Sequence, residues 1–159
     1  MHTSYLFKSI LMASIAAFFS CIVINNVTDP YINWWGIKHI FSMDTTLDSS
    51  RIMWRAITNP SLQKLFYFLI VMWEVMTAVL CWLGAFEFIM AKFQRPIKKA
   101  NPFQCAQAGL LAGFLLYWVG FIVIAGEWFS MYLSPTWNFQ MKAGMYAGIM
   151  LLSMIIIRL

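Results

Sequence analysis

One carboxylate inside an apolar helix is the first residue that could do chemistry. Glu74 lies within an apolar run from about Leu65 to Ala91. It sits about ten positions in, roughly 14 Å along a helix at ~1.5 Å per residue. A charge at that depth is costly unless it is paired, protonated or hydrated. Glu74 can therefore bind a cation or proton, or bond a neighbouring helix as polar glue. Glu87 lies nearer the end of the same run, within reach of Lys92 or of lipid headgroups. The two carboxylates stand about 220° apart around a helix. They cannot act as a close pair.

The other unusual polar residues fall in the connections between apolar runs. Ser42-Met43-Asp44-Thr45-Thr46 is rich in turn-forming and capping groups, and Asp44 or Thr45 could cap a short helix. Arg51 and Arg55 are spaced i, i+4, on one face if that segment is helical. Glu127 follows Gly126 and is a plausible ion-pair partner for either arginine. Asn138 and Gln140 add hydrogen-bonding groups at the start of the last apolar run. Known catalytic patterns are absent: the sequence holds no Walker loop, GxSxG, HExxH or dinucleotide fingerprint. Its histidines, His2 and His39, lie at opposite ends of the first span, which argues against a bis-histidine haem or a histidine-rich metal centre. Cys21, Cys81 and Cys105 form no CxxC pattern and read as small buried apolar residues. No catalytic residue, cofactor or metal is predicted.

These residues need helices in a membrane to position them. The chain is 62% hydrophobic and 11% charged, where soluble domains are about half apolar and about a quarter charged. Apolar runs at about 5–27, 65–91, 105–124 and 141–157 predict an all-α membrane protein, a single four-helix transmembrane bundle. The first run has signal-peptide features but is long enough to span, and is read as an uncleaved helix. Lys92, Arg95, Lys98 and Lys99 crowd the connection between the second and third runs. By the positive-inside rule that connection and both termini face the cytoplasm. A long structured first loop, about 28–61, then faces outward with Trp34, Trp35 and Trp54. Trp128 and Trp137 flank the other outer connection. These indoles form an interfacial belt or line a pocket. The net charge of +5 is mostly a topology signal and predicts no nucleic-acid partner.

Helices in lipid associate through close packing. Gly109 and Gly113 in the third run share GxxxG spacing, as do Gly144 and Gly148 in the fourth. The short connection makes these helices antiparallel neighbours, so the two stripes can pack together or form a homodimer contact.

The chain resembles the DUF2165 family of predicted small bacterial integral membrane proteins. The resemblance rests on Ser42 to Thr46, Trp54-Arg55-Ala56-Ile57, Glu74, Gly126-Glu127-Trp128-Phe129-Ser130-Met131 and Trp137-Asn138. It covers nearly the whole chain. After Met131 the chain departs from the family pattern, with Tyr132-Leu133-Ser134 and then Trp137-Asn138-Phe139-Gln140. The resemblance implies a bacterial inner membrane and brings no established activity. Together with the charge-derived topology it suggests one composite outward site. That site comprises Asp44, Thr45, Arg55, Glu127, Trp128, Trp137 and Asn138, with Glu74 beneath.

The functional expectation is an accessory subunit or binding module of a larger membrane assembly. Its partners would be membrane lipids and a membrane protein or a second copy. One alternative is a proton- or ion-coupled transport component using Glu74. Another is a membrane enzyme acting on a lipid or quinone with Asp44, Arg55 and Glu127.

Overall fold

The computed structural model describes residues 2–46, 51–93 and 102–159, and those residues are helical with short connections. Helix α1, His2–Thr28, is largely apolar; three of its hydroxyls bond back into their own helix, while Ser9 donates to the Ala85 carbonyl of α3 at 2.8 Å. Ser14 donates to the Leu11 carbonyl, Ser20 to Ala16 and Thr28 to Ile24. Such bonds satisfy these hydroxyls within the helix. Asp29 and Pro30 end α1.

The segment expected as a loop at 28–61 is largely folded. Helix α2, Tyr31–Ser42, lies across one end of the bundle against α3. It stops where Met43 turns left-handed, with φ 53°. A short 3-10 turn, Met53–Arg55, follows. Asp44 and Thr45 therefore follow a helix rather than cap the start of one. Arg51 lies outside the 3-10 turn, so Arg51 and Arg55 do not share a helical face.

Helix α3, Pro60–Lys92, begins earlier than its apolar run suggests. Asn59 caps it, its side chain accepting from the Ser61 and Leu62 amides at 2.9 and 3.3 Å. Pro60 sits at the first helical position, where its missing N–H is no loss. Helix α4, Pro102–Leu115, continues as a π-helical segment, Leu116–Trp128. Helix α5 is Gln140–Ile156.

Among the described residues, three helices are long and apolar enough to cross a membrane: Ser4–Thr28, Pro60–Lys92 and Phe103–Trp128. Helix α5 is apolar but shorter, 17 residues, or about 25 Å at ~1.5 Å per residue. Helix α1 packs on α3, α3 on α4, and α4 on α5. The main core includes Met12, Phe19, Phe88, Leu110 and Met150. A second core, including Ile40, Phe41, Phe129 and Met131, lies under α2.

The glycine stripes do not interlock as a pair. A methyl built on Gly109 would lie 2.8 Å from Cys81 Sγ of α3. One on Gly113 would meet Phe19 of α1 and Met150 of α5 at 3.1 and 3.2 Å. Gly144 has only Ile122 nearby, at 3.8 Å, and Gly148 has nothing within 4 Å. A methyl on Gly84 of α3 would lie 2.7 Å from the Ala106 Cα of α4, so Gly84 and Gly109 both mark a close approach of α3 and α4. Arg95, Lys98 and Lys99, on which the orientation rests, lie outside the described residues, as does Asp48.

Candidate functional site

Among the described residues, two clusters of polar side chains concern the predicted site residues most directly. The first lies at the α2 end of the bundle. His39, in the last turn of α2, has Nδ1 2.8 Å from Asp44 Oδ1. Its ring is sandwiched between Trp35 and Trp137, with centroids at 5.2 and 5.4 Å. Thr45 and Ser134 hydroxyls are 2.9 Å apart, and Ser134 Oγ accepts from the Trp137 amide at 3.0 Å. These contacts tie the end of α2 to the connection between the π-helical segment and α5.

Arg55 lies beside this cluster. Its guanidinium stacks over Trp128 at 4.7 Å and donates to the Trp128 carbonyl at 3.4 Å. Arg55 and Glu127 do not form the expected ion pair. Glu127 is exposed and accepts from Gln140 at 3.3 Å. Asn138 donates to the Tyr132 carbonyl and accepts from the Gln140 amide. Asp44, Thr45 and Trp137 thus come together around His39, while Arg55 and Trp128 form a separate pair. Glu127 and Asn138 meet through Gln140. Asp44, Arg55 and Glu127 each have a different partner. Most of these bonds knit one segment to another.

The second cluster lies inside the bundle. Glu74 of α3 is buried, 5% exposed. Its Oε2 accepts from Asn26 Nδ2 of α1 at 2.6 Å. Asn26 Oδ1 in turn accepts from Asn33 Nδ2 of α2 at 2.5 Å. Tyr67, two turns before Glu74 on α3, donates to the Asn26 carbonyl at 3.1 Å. Three helices thus share one hydrogen-bonded chain, running from exposed Asn33 to buried Glu74. An amide can donate to a carboxylate and accept from a second amide at once, which is why asparagine suits the middle position.

This chain borders a cavity of about 240 Å³. Its walls carry Asn25, Tyr117, Tyr146 and Lys142 as well as Glu74. Lys142 and Asn25 are exposed, so the cavity opens toward the end that carries α2. Among the described residues, no ion pair within 4 Å joins Lys142 to Glu74. The cavity therefore presents an acceptor on one wall and a cation on another.

Sequence reasoning singled out Glu74 but not Asn25, Asn26, Asn33, Tyr67 or Lys142. Glu74 lines this cavity, whereas Trp128 lines a neighbouring one that shares Ile37, Ile70 and Phe121 with it. Glu87 is buried against α4, with Cys105 Sγ 3.4 Å from its Oε1. It therefore packs inside the bundle rather than reaching for headgroups. Among the described residues, no group of His, Cys, Asp or Glu could hold a metal ion.

The family described as predicted small integral membrane protein, DUF2165, matches residues 4–159. No curated protein and no solved structure matches the chain.

Proposed function

The chain belongs to the DUF2165 family of small integral membrane proteins, and on that premise we propose that it is a non-catalytic, membrane-embedded binding protein whose site is the Glu74 cavity. The observation that carries this reading is the Glu74–Asn26–Asn33 chain on the wall of a cavity that also holds Lys142. A carboxylate needed only as glue between α1 and α3 would be served by Asn26 alone. Here it also faces a space bordered by tyrosines and a lysine. Buried polar groups converging on a cavity are the usual form of a small-ligand site.

The protein crosses the bacterial inner membrane four times, α5 forming the fourth span, with both termini in the cytoplasm. Lys92 and the basic residues after it support that orientation. The α2 end, with its tryptophans, then faces outward. Binding at this site serves a larger membrane assembly, in which the protein is an accessory module.

The test compares what the protein carries out of the membrane. Wild type and Glu74→Gln are solubilised gently from the same host, purified and analysed by native mass spectrometry. A bound small molecule present on wild type and lost from Glu74→Gln supports the reading. Identical cargo on both, or none on either, contradicts it. A stoichiometric protein partner in the same spectra supports the accessory role; monomer or homo-oligomer alone contradicts that part.

A further inference from the structure

The Glu74 cavity alone is small. Its volume of about 240 Å³ falls below the ~300–1,000 Å³ of pockets that enclose whole ligands. A second cavity of about 460 Å³ lies beside it. Ile37, Ile70 and Phe121 line both, so no more than one layer of side chains divides them. The second cavity is apolar, walled by Phe41, Phe66, Leu69, Ile124 and Trp128 among others. Leu69, Ile124 and Trp128 are exposed, so this cavity opens sideways between α3 and the π-helical segment. On spanning helices, that side meets acyl chains.

The π-helical segment contributes to both cavities, with Tyr117 facing the polar one and Phe121 at the boundary. Such winding is rare and gathers at functional sites. The charges complete the pattern. Glu74 on α3 can accept from an ammonium, and Lys142 on α5 can meet an anion. A molecule carrying an ammonium, an anion and an apolar chain would match both cavities.

The geometry points to a zwitterionic phospholipid with a primary ammonium as the ligand. The ammonium donates to Glu74, the phosphate meets Lys142, and one acyl chain passes Phe121 into the apolar cavity. This rests on the binding function proposed for the Glu74 cavity and names its ligand class. A quaternary ammonium has no N–H to donate to Glu74. An anionic glycerol headgroup brings no cation at all.

The test titrates the full chain in detergent with phosphatidylethanolamine, phosphatidylcholine and phosphatidylglycerol of identical acyl chains, reading adducts by native mass spectrometry. Wild type should bind phosphatidylethanolamine at least about tenfold more tightly than the other two. Glu74→Gln and Lys142→Met should each cut that preference to about twofold or less. Glu74→Gln keeps an oxygen for Asn26, and Lys142 is exposed, so both variants retain the fold. Gly120→Phe, which fills the apolar cavity from a position where an added methyl meets only Leu116 Cδ1 at 3.8 Å, should weaken all three lipids alike. Equal binding of the three lipids by wild type, or tightest binding of phosphatidylglycerol, overturns the assignment. If wild type then still carries another small molecule that Glu74→Gln lacks, only the lipid class falls. If it carries none, the binding function falls with it.

Discussion

The Asn26 amide holds the Glu74 carboxylate from across a helix boundary, and the two residues should respond differently to substitution. Asn26→Leu removes the donor and leaves a buried carboxylate oxygen unmatched, a loss of about 1–3 kcal/mol. Glu74→Gln keeps an acceptor oxygen for Asn26 and should cost less than about 1 kcal/mol. Thermal unfolding in mild detergent, followed by circular dichroism, separates the two; equal losses would contradict the bonding described. Glu74 itself stood out in the sequence because a carboxylate deep in an apolar run must be paired, protonated or hydrated. Its partners did not. Asn25 and Asn26 sit near the end of α1, where asparagine reads as a turn signal, and Asn33 and Lys142 read as ordinary boundary residues. His39 was missed for a similar reason: with only two histidines in the chain, neither suggested a site. Only folding places it between two indoles and beside Asp44.

Helices α3 and α4 approach closely at Gly84 and Gly109, where glycine leaves room for the neighbouring helix. Gly84→Val would drive its side chain into the Ala106 backbone and should cost about 1–3 kcal/mol by overpacking. Gly148→Ala meets nothing within 4 Å and should be neutral or stabilise by up to about 1 kcal/mol. The same unfolding assay checks both, and a large loss at Gly148 would mean that a partner covers that face. The GxxxG spacing of Gly109 and Gly113 was visible in sequence, but spacing names a face and not its partner. Gly109 meets α3, and nothing in the α5 stripe announced that Gly148 would stay open. The start of α3 was also readable in principle. Asn59-Pro60 is a cap followed by a first-turn proline, but the hydropathy of the run that follows drew the boundary later. The π-helical winding from Leu116 to Trp128 left no recognisable mark on the sequence.

For the whole molecule, apolar composition and span-length runs made the helical membrane class plain, and lysine and arginine placement suggested its orientation. The arrangement of the polar groups into two separate clusters was not accessible that way, because each cluster joins residues far apart in the chain. Orientation has a direct check. In a chain with its native cysteines replaced, Thr58→Cys should react with a membrane-impermeant thiol reagent on intact spheroplasts. Cysteine at Leu159 should react only after permeabilisation, and the reverse pattern would invert the topology. The central claim is that the ligand sits at Glu74 rather than on the tryptophan-rich face. An electron cryomicroscopy map of the protein in lipid nanodiscs, with a bound antibody fragment as fiducial, tests it most directly. The account predicts density against Glu74 and Lys142 that continues past Phe121 into the apolar cavity. Density confined to the face around Trp54 and Trp128, with none at Glu74, would contradict it.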